Sequence, residues 1–267
     1  MKYTFLAIVV SILAGCSPSK PTTDELSTEG ETPIAKNNVM VMGMIHGGHL
    51  TSTTYGNEGV GKIIKTIAPD VIITEIPPDR FDTAMTQFEE TDSISEPRVR
   101  RFPEYVDVIF PLTKTMDFGI VPSAGWTKPM SDARAQRMKE ISEDPAWAER
   151  WQLYKEAIAK SDSAVDAVNG AEDPYFINSD AYDEAAEIYL SVYNELLNDE
   201  LGHGGWDNIN ESHYSYIEQA LDSLSGQDIT ILITYGAGHK GWFMRELRKR
   251  TDIELLNMHP FIVEALK

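Results

Sequence analysis

Short apolar runs alternate with amphipathic stretches towards both ends of this chain. Val39 to Gly43, Val71 to Glu75, Gly119 to Ala124, Ile229 to Thr234 and Ile253 to Leu256 have the length and β-branched character of buried strands. Between them, Gly59 to Ala68 places Val60, Ile63, Ile64 and Ile67 on one helical face. Pro103 to Met116 does the same through Tyr105, Val108, Ile109 and Leu112, and Tyr214 to Leu224 and Trp242 to Arg250 read as two later helices. Strand, helix, strand order predicts an α/β fold with a mostly parallel sheet flanked by helices.

The middle of the chain lacks strand signals. Trp147, Trp151, Tyr154 and Ile158 recur at helical spacing, as do Ala185, Ile188, Tyr189, Val192 and Leu196. Between Ser131 and Asp228 there are 22 acidic and 6 basic residues, a net of −16 out of −19 for the whole chain. This stretch, about 131–228, predicts an acidic helical insertion over the α/β core. Its aromatic stripe reads as internal packing and its carboxylates as a solvated face. So acidic a chain offers no concentration of Lys and Arg for nucleic acid, and no polybasic patch for a membrane surface.

The N-terminus predicts a different attachment. Met1-Lys2-Tyr3, an apolar stretch from Thr4 to Ala14, and Leu13-Ala14-Gly15-Cys16 resemble a bacterial lipoprotein signal with its lipobox. The resemblance implies cleavage after residue 15, acylation of Cys16 and anchoring in the cell envelope, with Ser17 compatible with the periplasmic face of the outer membrane. Cys16 is the only cysteine in the chain, which excludes an internal disulfide, a thiolate metal cage and a catalytic thiol. Residues 16–38, rich in Ser, Thr, Pro, Lys and Glu, read as a flexible tether, leaving 39–267 for the folded domain.

Two strands end in the same device. Val39 to Met42 runs into Gly43-Met44-Ile45-His46, and Ile229 to Tyr235 runs into Gly236-Ala237-Gly238-His239. Glycine at a strand end permits a turn or a close backbone approach, and the carboxyl edge of an open α/β sheet is where ligands bind. A third strand ends at Glu75, with Arg80 following. Two neutral imidazoles and a carboxylate suit zinc, manganese or cobalt, whereas His46 or Glu75 could instead act as a general base without a metal. Arg80 offers a fork of donors for a substrate carboxylate or a developing oxyanion. Gly43, His49, Gly236 and Gly238 are candidates for substrate contact, the glycines through backbone amides. The spacing Gly236-x-Gly238-x-x-Gly241, with Glu254 later, also matches a dinucleotide fingerprint. Too little chain follows it to complete a nucleotide-binding half.

The early Gly-x-x-His, the Pro-Asp-Val-Ile-Ile-Thr-Glu strand with Arg80, and the late Gly-x-Gly-His-x-x-Gly resemble the TraB, PrgY, GumN and TIKI proteins. ChaN-type haem-binding lipoproteins and erythromycin esterases are more distant relatives of that fold. The likeness covers Val39 to about Arg80 and Asp228 to about Leu256, and implies a metal-dependent hydrolase using His46, Glu75, Arg80 and His239. Relatives carry an arginine before the last strand, where this chain has Asn210-Glu211-Ser212-His213. The expected substrate is a peptide or small molecule. The alternatives are a haem- or metal-binding lipoprotein of the ChaN type without turnover and an inactive envelope scaffold.

Overall fold

The computed structural model describes residues 35–267. The signal segment, Cys16 and most of the tether lie outside the described residues. The chain enters its first strand, β1 (Asn37–Met44), slightly earlier than the tether reading allowed. Asn37 is the reason. Its side chain donates to Leu224 O at 2.6 Å and accepts from Ile229 N–H at 3.2 Å, stitching the strand start to the far end of the chain.

After β1 come α1 (Asn57–Ile67), β2 (Val71–Thr74), α2 (Pro78–Thr91), a π-helical segment Glu104–Ile109 that continues into α3 (Phe110–Leu112), and β3 (Gly119–Pro122). The middle holds α4 (Lys128–Glu143), α5 (Ala148–Asp166), α6 (Pro174–Ile177), α7 (Asp180–Leu197) and α8 (Trp206–Ser223). The chain closes with β4 (Thr230–Gly236), α9 (Ala237–Leu247), β5 (Ile253–Leu255) and α10 (His259–Ala265). All five strands are parallel, in the order β3-β2-β4-β1-β5. This is the α/β architecture the strand and helix alternation predicts.

Both faces of the sheet are covered, which explains why the strands read as continuous apolar runs. Along β1, Met40, Met42 and Met44 point into one core with Val60, Ile63 and Ile64 of α1 and Ile262 of α10. Val39 and Val41 point into the other, with Ile217 and Leu221 of α8 and Phe243 and Leu247 of α9. The chain leaves β1 towards β2 on one side and leaves β4 towards β5 on the other. With right-handed crossovers those opposite moves put α1 and α9 on opposite faces, and the gap between the carboxyl ends of β1 and β4 becomes the topological switch point.

The acidic middle is helical as expected, but its last helix is not part of the overlay. α8 begins at Trp206 rather than near Tyr214 and lies directly on the sheet. The overlay proper is α4 to α7, with Ile141, Trp147, Tyr193 and Leu197 forming a separate small core joined by Trp151 and Tyr154. The helices α2 and α4 escape the periodicity reading because each buries little: Ala84 and Phe88 in one, Ile141 in the other. α9 starts at Ala237 instead of Trp242, since Gly236 closes the strand and serves as the helix N-cap.

A buried ion pair fastens the overlay to the sheet layer. Lys240 Nζ on α9 donates to Asp183 Oδ1 of α7 at 2.6 Å and to Ser179 O at 2.9 Å, with the lysine side chain only 4 % exposed. Burial lowers the Lys240 pKa and raises that of Asp183, each opposed by the other's charge. Removing one partner strands the other in the interior, so Asp183→Ala should destabilise the fold by about 3 kcal/mol in a urea titration. An exposed pair such as Glu58–Lys62, broken in the same way, should leave the urea midpoint essentially unchanged.

Candidate functional site

The carboxyl ends of the three central strands carry the sequence-marked residues to one place. His46 follows β1, Glu75 follows β2, and His239 lies in the first turn of α9 after β4. Glu75 is the centre. Its Oε2 accepts the Gly236 N–H at 2.9 Å and lies 3.7 Å from His46 Nε2. The anion at the N-terminus of α9 is therefore Glu75 itself, where the helix dipole and free amides favour negative charge. Gly236 accordingly uses its amide on the protein rather than on a substrate. A Cβ there would fall 2.6 Å from His46 Nε2, so any larger residue would push the imidazole aside.

Each histidine is held in a defined state by its own partner. His46 Nδ1 bonds Glu104 Oε1 at 2.6 Å, with Phe102 edge-on to the ring at 4.9 Å. Glu104 opens the π-helical segment, is fully buried, and has no hydrogen-bond partner for its Oε2 among the described residues. Burial alone lowers the His46 pKa, but the Glu104 bond and the charges of Glu75 and Glu104 outweigh it and the net shift is upward. His46 also sits at φ 48°, a left-handed conformation that costs a non-glycine residue energy and aims its ring across the strand ends.

His239 is arranged differently. The Asn210 amide orientation is set by Nδ2 donating to Trp206 O at 2.7 Å, so Oδ1 accepts from His239 Nδ1–H at 2.7 Å. That leaves Nε2 of the neutral ring with its lone pair. Trp206 stacks on the ring at 4.9 Å. Burial and the neighbouring His46 lower the His239 pKa against the pull of Glu75, so the ring is neutral at pH 7.

His213, on α8, completes the cluster. Glu75, His213 and His239 each offer a ligand-type atom, and these lie within 4.8 Å of one another, while His46 stands outside that group. His213 Nδ1 accepts the Gly125 N–H at 2.8 Å. A backbone amide can only donate, so the proton of the neutral His213 ring is on Nε2. That Nε2 is buried without a partner among the described residues, and burial, with His239 nearby, holds the pKa well below its ordinary value. His213 thus presents a donor where His239 and, when neutral, His46 present lone pairs.

Other expectations change. His49 has no nitrogen left for a substrate: Nδ1–H donates to Tyr55 O at 2.6 Å and Nε2 accepts Ile45 N–H at 3.1 Å, so it closes the loop after β1. Gly43 donates its amide to Asn178 Oδ1 at 2.8 Å and is small because Ala237 passes 3.1 Å from where its Cβ would be. Gly238 meets nothing closer than 3.7 Å and carries no such constraint. Arg80 is not at the cluster; its guanidinium pairs with Asp79 at 3.1 Å, beside a neighbouring cavity. His203 and His259 are exposed. The sequence reading missed Glu104, whose one signal was an acidic residue beside the apolar positions of its helix. It noted Asn210 as part of a departure from relatives and His213 as a lesser functional candidate. Comparison with family models, with curated proteins and with solved structures found no match.

Gly236→Ala should displace the His46 ring and lower any activity of the site at least tenfold while leaving the protein folded by circular dichroism, since an ångström-scale misplacement of reacting groups costs about 100-fold. His213 and His239 have depressed folded pKa values, so the unfolded chain binds more protons below its ordinary histidine pKa. The stability they contribute is present above about pH 6.5 and lost as pH falls. Urea midpoints measured without added metal should fall from pH 7.5 to 5.5, and His213→Gln should reduce that fall.

Proposed function

We propose that the protein is a hydrolase of the TraB and TIKI kind, acting on a peptide or small-molecule substrate at the cell envelope through an acylated Cys16. The observation that supports this best is the set of three histidines from separate chain segments. Each is fixed by a dedicated partner around the buried Glu75 carboxylate. Structural histidines use both nitrogens internally, as His49 does. Each of these three keeps one ring nitrogen without a hydrogen-bond partner among the described residues.

The donor chemistry suits a divalent transition ion, with zinc, manganese and cobalt the candidates. Glu104–His46 is the carboxylate–imidazole pairing that orients a metal-binding histidine, and Asn210 does the same for His239. Two ligands of one tetrahedral ion lie roughly 3.4 Å apart, close to the 3.7 Å between His46 Nε2 and Glu75 Oε2. His46, Glu75 and His239 would hold the ion. His213 would not, although it lies nearest in space to the other two, because its Nε2 carries a proton. A bound ion would supply Lewis acidity and lower the pKa of a water.

The chain's own residues do the rest. Glu75, fixed by the Gly236 amide, keeps negative charge at the centre and orients the reacting water. His213 Nε2–H, unpartnered at rest, donates to the oxygen on which charge develops as the carbonyl is attacked. His239 Nε2 is the base where no ion is bound, since its ring is neutral at pH 7 and Asn210 stabilises the imidazolium that forms.

The test uses substitutions that keep the orienting bonds. His46→Asn and His239→Asn retain a donor for Glu104 and Asn210 but delete Nε2; each should weaken zinc or manganese binding at least tenfold by calorimetry. His213→Gln should retain ion affinity within about twofold and lower turnover of ester and peptide substrates about 100-fold. Equal loss of ion affinity in His213→Gln would overturn the assignment of its proton. Haem binding, seen as a Soret band lost in His46→Asn, together with no transition-ion binding, would replace the hydrolase reading by a carrier.

A further inference from the structure

Beside the histidine cluster lies a cavity of about 340 Å³ whose wall is unlike the rest of this acidic protein. Arg80, Arg98, Arg101 and Lys128 line it, in a chain of net charge −19. Three carboxylates also reach it, but each is engaged. Asp79 pairs with Arg80 at 3.1 Å, and Asp132 pairs with Lys128 at 2.5 Å. Glu96 Oε2 accepts the N–H groups of Arg98 and Val99 at 2.7 and 2.8 Å, capping the 3-10 turn Val99–Arg101. The guanidinium groups of Arg98 and Arg101 make no ion pair or hydrogen bond among the described residues. The loop that carries them is held in place, since Gln87 Oε1 accepts the amides of Ser95 and Glu96, both at 2.9 Å.

Three lining residues link the cavity to the cluster. Arg101 is followed by Phe102, whose ring contacts His46. Pro77 lines the cavity just beyond Glu75. Trp126 lines it too, with its ring 6.2 Å from that of His213 and its neighbour Gly125 bonded to His213. An anion seated against Arg98 and Arg101 would place the remainder of its molecule next to the site.

We propose that this cavity binds the oxyanion of the substrate, a carboxylate or a phosphate, through Arg98 and Arg101, with the Arg80–Asp79 and Lys128–Asp132 pairs flanking them. Guanidinium forks match both anions bidentately, and a cationic pocket in an otherwise anionic surface selects the anionic end of a molecule and so sets its orientation. That the anion belongs to the substrate rests on the hydrolase reading; that the cavity binds it does not.

The experiment titrates the full chain in detergent with inorganic phosphate, with a short peptide bearing a free C-terminal carboxylate, and with the same peptide as its amide. Binding of the free acid but not the amide identifies a carboxylate source; binding of phosphate alone identifies a phosphorylated one. Arg98→Gln/Arg101→Gln should lower that affinity at least tenfold, whereas Lys62→Gln/Lys65→Gln, the same charge change on exposed positions of α1, should leave it within about twofold. No binding by the wild type, or equal losses in the two double variants, overturns the proposal. His239→Asn separates the two readings, since it should retain anion binding while losing turnover. If anion binding maps to Arg98 and Arg101 but no substrate is turned over, the cavity stands and the hydrolase fails. If His239→Asn abolishes turnover while the arginine variant keeps both KM and anion affinity, the hydrolase stands and the cavity proposal fails.

Discussion

One buried carboxylate organises the carboxyl edge of this sheet. Glu75 is 6 % exposed, and an ionised group so placed costs several kcal/mol unless hydrogen bonds and opposite charge offset the loss of water. The direct offset is the Gly236 amide at the start of α9, and the His46 ring 3.7 Å away adds opposite charge when it is protonated. Both require close approach, and a Cβ at position 236 would stand 2.6 Å from His46 Nε2 and displace it. Beneath them, Tyr105 fixes the level of the strands: its hydroxyl accepts from Glu75 N–H at 2.8 Å and donates to Thr234 O at 2.9 Å, tying β2 to β4 below the carboxylate.

The helical overlay contributes to the same edge although none of α4 to α7 crosses the sheet. Tyr193 of α7 meets Trp206 edge-on at 6.3 Å, and Trp206 in turn stacks on His239. The Lys240–Asp183 pair holds α7 against α9, the helix whose first turn carries His239. The overlay is thus a wall behind the site, and its acidic outer surface is a separate matter of solvation. Against that surface the cavity at Arg98 and Arg101 is electrostatically distinct, because the nearby carboxylates are already bonded to fixed partners.

The fold class was legible from hydrophobic period alone, since a parallel sheet covered on both faces demands the continuous runs seen at Val39 to Met44 and Ile231 to Tyr235. The placement of His46, Glu75 and His239 at one edge was legible too, because parallel strands put all their carboxyl ends on the same side. Weakly buried helices were not legible, and α2 and α4 show the reason: one or two buried residues in four turns leave no period to read.

What the sequence could not determine is the state of each imidazole, which depends on a partner distant along the chain. Glu104 meets His46 across 58 positions, Asn210 meets His239 across 29, and the Gly125 amide meets His213 across 88. Local sequence specifies that a histidine stands at a strand end. Whether its free nitrogen offers a lone pair or a proton is decided by which donor or acceptor the tertiary fold delivers to the other nitrogen. The same holds for His49, which by spacing resembled a site residue and by contact is a loop clasp, and for Arg80, which adjacency to Glu75 assigned to the reacting centre and the course of α2 carries to the neighbouring cavity.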